Sequence, residues 1–326
     1  MARHYHFTMH FFTDLKQHKK ILFLFLLILC LSSLIAPMIK AILDASVSSS
    51  PFMEHLLKFK EGSYDFGRVM RRIMMAAAVL IIFLFRKPLM IGSFATIGLK
   101  NAQGWWNQLQ MGFLLSTGIF ILYTFFLFAN GNKTLHIETK SFSNLVFRLI
   151  KILLAAGLVG CIEEIFFRGF IFQSVLKDMS TISAVGFSSI FYSLLHFFKV
   201  KLLVSSGFQP FIGFFVIYQS FKGIVSNLND ILPSVIGLFL VGVVLSYACL
   251  RTKSLYLAIG LHAGWVFLMK TNNIFFDHVE SSTKWLFGDA NAVTGVLGWI
   301  LLIVTLILIR FMTKVSIDGK NTARTG

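Results

Sequence analysis

Charged side chains are scarce in this chain: Asp, Glu, Lys and Arg make up only 13% of its 326 residues. Soluble domains usually carry about a quarter charged residues. Hydrophobic residues reach 56%, and the mean hydropathy is +0.77. These values exclude an ordinary soluble protein and indicate that lipid is the main solvent. No polar stretch is long enough to form a domain by itself, so we expect a single integral membrane domain over residues 1–326.

Acidic residues are the scarcest charges, 14 against 30 Lys and Arg, which gives a net charge of +16. Such an excess is also found in nucleic-acid-binding proteins. Here, however, the basic residues flank apolar segments, as at Lys19, Lys20, Arg86 and Lys87. In that position they orient helices and meet anionic lipid headgroups. We therefore expect a lipid bilayer as partner and no nucleic acid.

Cysteine is rare as well. The three cysteines, Cys30, Cys161 and Cys249, all lie in apolar runs and show neither close pairing nor metal-ligand spacing. This pattern is typical of packing residues and argues against a disulfide framework or a redox pair.

Long apolar runs recur along the whole chain. A helix that crosses a bilayer needs about 20 mostly apolar residues. We predict an all-α fold, a polytopic transmembrane bundle of about eight helices, near 21–42, 69–85, 109–129, 145–166, 182–198, 233–250, 254–269 and 293–312. The first run is longer than the apolar part of a signal peptide, so we expect a retained span. The shorter segment 208–221 is expected to be re-entrant, interfacial or a shortened span.

The fourth run holds charge at membrane depth, in the sequence Cys-Ile-Glu-Glu-Ile-Phe-Phe-Arg from residue 161 to 168. Each such charge costs about 2.5–3.5 kcal/mol on insertion scales. Glu164 and Arg168 are spaced i, i+4 in the order that favours an ion pair. Glu163 is rotated by about 100° around the helix. We predict that Glu164 is a structural carboxylate paired with Arg168, and that Glu163 turns toward a cavity.

Two histidines, His196 and His262, lie inside later apolar runs. The charged motif alone is equally consistent with a helix cap at the membrane interface, and a lone histidine on an apolar helix is more often a packing residue. Two histidines together with an acidic helix are harder to explain as packing. We therefore predict that His196 and His262 share a site with Glu163.

A carboxylate and two imidazoles in a low-dielectric cavity allow hydrolysis in two ways. Glu163 and His196 can hold and deprotonate a water while His262 donates a hydrogen bond to the oxyanion. Alternatively, Glu163, His196 and His262 can bind a zinc ion that activates its own bound water. The sequence has no His-Glu-x-x-His motif, but ligands can come from separate helices. Both ways stay open, so the expected cofactor is none or zinc.

Three motifs occur in a fixed order between residues 163 and 266. Glu163 to Arg168 resembles the Glu-Glu-x-x-x-Arg motif of the CAAX-prenyl-protease and bacteriocin-processing family, also called the Abi family. Residues 192–196 are similar to its Phe-x-x-x-His motif, with Tyr192 replacing phenylalanine, and residues 261–263 are similar to the start of its His-x-x-x-Asn motif. The resemblance covers about a third of the chain, and we place the family-like catalytic core at about 145–270.

The resemblance implies an intramembrane endopeptidase that hydrolyses a peptide bond of a peptide or protein substrate near the membrane surface. It implies that Glu163 and His196 activate water and that His262 supports the oxyanion. Glu164 and Arg168 then hold the site together, with Tyr192 as a supporting aromatic wall. Family members have been described both as metalloproteases and as metal-independent glutamate proteases, so the resemblance does not choose between the two ways.

One residue departs from the pattern in a way that bears on activity. Val266 occupies the asparagine position of the third motif and cannot donate a hydrogen bond. Removal of one oxyanion donor typically costs ~10²–10³ in rate. Either His262 acts with a backbone or water donor, or the site is slow or inactive.

Two other classes of function are alternatives to the protease. One is a non-catalytic membrane immunity or scaffold protein that retains a degenerate site as a polar cluster. The other is a transporter that relays protons through buried Glu and His, although the paired Gly- or Pro-broken helices of inverted repeats are not recognisable. The compact length, the lack of a transit peptide and the resemblance favour a bacterial inner membrane as the location.

Overall fold

The computed structural model describes residues 15–47, 63–89, 92–93, 95–99, 104–136, 141–198, 201–205, 207–279, 283–288 and 292–313. Helices dominate these ranges, together with two short two-stranded sheets. The predicted all-helical fold class is confirmed.

The helices are α1 Gln17–Val47, α2 Phe66–Phe85, α3 Trp105–Ala129, α4 Phe142–Glu164, the π-helix Ile165–Phe172, α5 Gln173–Val175, α6 Thr181–His196, α7 Ile212–Ser226, α8 Leu228–Thr252, α9 Tyr256–Phe275, α10 Lys284–Phe287 and α11 Val296–Met312. The strands are β1 Ser63–Asp65, β2 Lys133–Leu135, β3 Leu203–Ser205 and β4 Phe276–His278.

Each apolar run predicted to span the membrane falls largely on one of these helices. Within the described ranges, four segments are long and apolar enough to cross a bilayer: Gln17–Ser46, Trp105–Ala129, Phe142–Val175 and Leu228–Thr252. Shorter apolar helices are Thr181–His196, Ile212–Ser226 and Val296–Met312. Large apolar side chains such as Phe125 and Leu154 are 68% and 69% exposed on the protein surface, as expected where lipid covers them. The chain is an integral membrane protein, and the number of eight spans stays a prediction.

The packing divides the chain into two compact units, residues 1–92 with 194–231 and residues 93–193 with 232–326. The expectation of one membrane domain over the whole chain stays a prediction.

The first unit packs α1, α2 and α7 beside a small sheet in which β1 pairs antiparallel with β3. Its buried core is formed by Ala36, Tyr64, Phe66, Met70, Val204, Ile212 and Val216. Asp65 caps the N-terminus of α2. Its carboxylate accepts a hydrogen bond from the backbone N–H of Gly67, as N-cap side chains usually do.

Hydrogen bonds from a buried lysine connect α1 with the end of β3 and the segment after it. The Nζ of Lys40 donates to Asp44 Oδ2 at 2.7 Å, to the carbonyl of Ser205 at 2.9 Å and to that of Gly207 at 2.7 Å. The Tyr64 hydroxyl donates to Asp44 Oδ1 at 2.9 Å. Burial, followed by this bond to Asp44, raises the pKa of Tyr64, so its hydroxyl keeps the proton that it donates.

The second unit is built around two parallel helices, α3 and α9. A Cβ on Gly112 would lie 2.8 Å from the backbone nitrogen of Leu261, and a Cβ on Gly264 would lie 2.9 Å from the carbonyl of Phe113. Glycine at these points therefore lets the two backbones approach, as small residues do between membrane helices. Strand β2 follows α3 and strand β4 follows α9. The two strands pair antiparallel, with Lys133 opposite His278.

Candidate active site

The acidic motif lies where α4 changes into a π-helix. Glu164 is the last residue of α4, and the π-helix Ile165–Phe172 follows without a break. Short π segments inside helices occur frequently at functional sites. Gly169 lies on this segment, where a Cβ would be 3.1 Å from the carbonyl oxygen of Ile97. A side chain larger than glycine at this position would push the motif away from its neighbours.

Glu164 and Arg168 form the predicted ion pair. Arg168 Nη1 donates to Glu164 Oε1 at 3.0 Å, and neither side chain is exposed. The second terminal nitrogen, Nη2, donates to the carbonyl of Gly242 on α8 at 3.2 Å. The guanidinium carbon lies 4.5 Å from the ring centroid of Tyr192. The prediction that Glu164 is paired with Arg168 is confirmed, and the pair also connects the π-helix with α6 and α8.

His262 lies between the two glutamates. Its Nδ1 is 2.8 Å from Glu164 Oε1, and its Nε2 is 3.7 Å from Glu163 Oε2. Because a carboxylate paired with Arg168 can only accept, Nδ1 of His262 carries the proton in this contact. Glu164 therefore orients the imidazole, and Nε2 points toward Glu163.

The contact between Glu164 and His262 was not expected from the sequence, which assigned Glu164 to Arg168 alone. Helical spacing predicts partners within one or two turns, and His262 follows Glu164 by 98 residues. The signal that relates to it is the glycine pattern of α9, Gly260-x-x-x-Gly264, which brackets His262 and allows close helix packing. That pattern indicates a tightly packed helix but does not identify the neighbouring residue.

The two glutamates occupy different environments. The side chain of Glu163 is 31% exposed, and that of Glu164 is fully buried. A carboxylate that is partly accessible and faces an imidazole can exchange a proton with water. A fully buried one that is bound to Arg168 is suited to a structural role.

Close packing of α4 on α9 brings these groups together. A Cβ on Gly160 would lie 3.1 Å from the backbone nitrogen of Ala263, the residue after His262. On the other side of α9, a Cβ on Gly260 would overlap the carbonyl of Leu109 on α3. His262 itself is only 5% exposed, so its position is set by backbone contacts on both sides.

Tyr192 belongs to the same group. Its ring meets the His262 ring edge-on, with centroids 6.4 Å apart and an interplanar angle of 88°. It also packs against Phe167, with centroids 4.8 Å apart. The structure thus brings Glu163, Glu164, Arg168, Tyr192 and His262 together within the second unit.

His196 and Val266 complete the predicted motifs. His196 is the last residue of α6, four residues after Tyr192, and belongs to the first unit. Its role as a water-activating residue stays a prediction. Val266 lies on α9 one turn after His262 and is partly buried, so the structure offers no side-chain donor at this position.

The same residues are the ones expected to hold a zinc ion. A catalytic zinc site needs three protein ligands, and Glu163 with His262 supplies two facing donors. In the part of the chain that the structure describes, no group of three or more His, Cys, Asp or Glu side chains is arranged to hold a metal ion. The described residues therefore do not form a complete zinc site.

A family model described as Type II CAAX prenyl endopeptidase Rce1-like matches residues 144–268. The predicted resemblance is confirmed. The Rce1-like segment runs from the start of α4 into α9 and contains every residue of the site described above. The match supports a protease in general. Comparisons with curated proteins and with solved structures give no significant match.

Proposed function

We propose that this protein is an intramembrane endopeptidase that hydrolyses a peptide bond near the membrane surface with a water activated by Glu163. The observation that carries the proposal is the position of His262 between a buried glutamate that contacts Nδ1 and a partly exposed glutamate that faces Nε2. A structural polar cluster needs no carboxylate left accessible beside an oriented imidazole.

In the proposed reaction, Glu163 accepts a proton from water as the water oxygen attacks the carbonyl carbon of the peptide. The carbonyl oxygen becomes an oxyanion, which accepts a hydrogen bond from Nε2–H of His262. When the tetrahedral intermediate collapses, the C–N bond breaks and Glu163 returns its proton to the leaving amine. His196, assigned through the family motif, is proposed to hold the same water together with Glu163.

The oxyanion role assigned to His262 needs a hydrogen on Nε2 as well as on Nδ1. In the proposed reaction, Nδ1 therefore donates to Glu164 while Nε2 donates to the oxyanion.

The proposal is tested with purified protein in liposomes and a set of farnesylated and unmodified peptides, with products identified by mass spectrometry. Glu163→Gln and His196→Ala are expected to abolish the cleavage seen with the wild type. Asp230→Asn is the matched control, because it neutralises an exposed carboxylate of α8 outside the site. Equal cleavage by the wild type and both site variants would overturn the proposal. The comparison of farnesylated with unmodified peptides shows whether the substrate is prenylated.

The proposal uses no metal, because Glu163 and His262 form the proton-accepting and donating pair by themselves. Cleavage is therefore expected to persist after dialysis against 1,10-phenanthroline. Loss of cleavage that zinc alone restores would support the zinc mechanism instead.

A second candidate is a non-catalytic immunity or scaffold protein, which the lack of a donor at Val266 favours. For that function, Glu163→Gln leaves the biological activity intact, whereas disruption of the Glu164–Arg168 pair removes it through loss of the fold. We propose a bacterial inner membrane as the location of either function, on the basis of the family resemblance.

A further inference from the structure

The sheet of β2 and β4 places a lysine beside a histidine. Lys133, the first residue of β2, lies directly opposite His278, the last residue of β4. Residues that are directly opposite in an antiparallel pair project from the same face, with Cβ atoms about 4.5–5.5 Å apart. The next pair in register, Thr134 and Asp277, projects from the other face, because side chains alternate along a strand. One face of the sheet therefore carries an ammonium and an imidazole next to each other.

Lys133 is buried without a counter-charge. The residue is only 7% exposed, and burial lowers the pKa of its ammonium to about 8. At pH 7 the group therefore still carries most of its positive charge. Among the described residues no carboxylate pairs with it, and Asp277 on the other face contacts His136, with Oδ2 3.3 Å from Nδ1. A buried charge is costly unless an ion of opposite sign is paired with it.

His278 adds hydrogen-bonding capacity to the same face. Its two ring nitrogens are buried, and neither has a hydrogen-bond partner in the part of the chain that the structure describes. A neutral imidazole has one N–H donor, and a protonated one has two. The residue as a whole is partly exposed, so a ligand can approach from the surface. Lys133 and His278 together offer a positive charge and at least one further donor, which is the chemistry that binds an anion.

The position of the pair along the chain indicates which anion is near. Lys133 follows by four residues the end of Trp105–Ala129, a segment long and apolar enough to cross a bilayer. A polar strand directly after such a segment lies at the level of the lipid headgroups. Phosphate is the common acceptor group at that level, and basic sites at the ends of membrane helices bind headgroup phosphates.

We propose that Lys133 and His278 form a binding site for a phosphate group, which a lipid headgroup or free phosphate can supply. The ammonium of Lys133 provides the charge, and the imidazole of His278 provides a further hydrogen bond. Bound phosphate offsets the buried charge and thereby stabilises the sheet that follows α3 and α9. The residues around His262 take no part, so the inference is independent of the proposed peptidase.

Thermal unfolding of the full chain in a neutral detergent tests the inference. A short-chain phosphatidylglycerol at about 100 times its Kd is expected to raise the unfolding temperature of the wild type by about 5 °C. A diacylglycerol with the same acyl chains and no phosphate is expected to leave it unchanged. Inorganic phosphate distinguishes the two sources: a rise with phosphatidylglycerol alone identifies a lipid headgroup, and a rise with inorganic phosphate identifies a site that also accepts free phosphate.

The variants show whether the effect arises at this sheet. Lys133→Met is expected to bind phosphatidylglycerol about 10–100-fold more weakly, whereas Lys133→Arg keeps the charge and should retain more of the affinity. His278→Phe keeps a ring without donors and is expected to weaken binding by a smaller factor. Lys270→Met is the matched control, because it removes an exposed charge of α9 in the same unit, and its Kd is expected to equal that of the wild type.

Three results would overturn the inference. The first is a wild-type unfolding temperature that neither phosphatidylglycerol nor inorganic phosphate raises. The second is an equal rise with the diacylglycerol, which would show that the acyl chains and not the phosphate are bound. The third is a Lys133→Met variant that binds as tightly as the Lys270→Met control.

Discussion

Nδ1 of His262 lies 2.8 Å from Oε1 of Glu164, the same oxygen that accepts a hydrogen bond from Arg168. One carboxylate oxygen thus holds both the charge-balancing arginine and the imidazole. This places Glu164 at the centre of the site. The stability of the fold and the orientation of His262 therefore depend on the same side chain.

Glu164→Gln is expected to destabilise the protein far more than Glu163→Gln. The variant leaves the buried Arg168 without its counter-charge, and removal of one partner of a buried pair typically costs about 3–5 kcal/mol. Glu163 is partly exposed, so its neutralisation is expected to cost less than about 1 kcal/mol. Thermal unfolding of both variants in the same detergent measures the difference. Equal unfolding temperatures would show that Glu164 is not the structural carboxylate.

Gly260→Ala is expected to disrupt the α3–α9 packing. The new Cβ would overlap the carbonyl oxygen of Leu109, and overpacking of this kind costs about 1–3 kcal/mol. Since His262 follows two residues later, peptide cleavage is expected to fall as well. The matched control is Gly118→Ala on α3, where a Cβ meets no atom within 4 Å. Thermal unfolding in detergent should place this control at or above the wild type, because alanine favours a helix over glycine.

Lys40→Met is expected to destabilise the first unit. The ammonium of Lys40 binds Asp44 and two carbonyls in a fully buried position, so its loss leaves the Asp44 carboxylate without its cation. The expected cost is about 3–5 kcal/mol, measured as a lower unfolding temperature. Lys222→Met on the exposed face of α7 is the control and should change stability by less than about 0.5 kcal/mol. A Lys40→Met variant as stable as this control would contradict the structural role.

The lowered pKa of Lys133, which lies outside the membrane spans, predicts that the free energy of unfolding depends on pH. Burial lowers the pKa of this lysine from 10.5 to about 8, so the folded protein carries the penalty of a buried charge below pH 8. As the pH rises from about 8 to 10.5, the unfolded chain binds more protons at this group than the folded one, and stability rises. Lys133→Met is therefore expected to be more stable than the wild type by about 1–3 kcal/mol at pH 7.

The advantage of Lys133→Met should shrink between pH 8 and 10.5, as measured by unfolding at a series of pH values. A difference that stays constant over this range would show that burial does not penalise the charged form of Lys133.

Local geometry explains why part of the site could be predicted. The Glu164–Arg168 pair follows from the i, i+4 spacing on one helix, and the different environments of Glu163 and Glu164 follow from the rotation of about 100° per residue. The apolar runs likewise predict helices, because a span in lipid must satisfy its backbone hydrogen bonds internally. The short strands β2 and β4 have three residues each, too few for an alternating pattern to be recognised.

The sequence by itself determined the membrane setting, the positions of the helices and the residue types of the site, because hydropathy and helical spacing depend only on nearby residues. Only the tertiary structure decided that Glu164 also holds His262, that Nε2 faces Glu163 and that Tyr192 packs on the imidazole. These contacts join residues on separate helices. They depend on how closely the backbones approach at Gly160 and Gly260, which is set by the packing of whole helices.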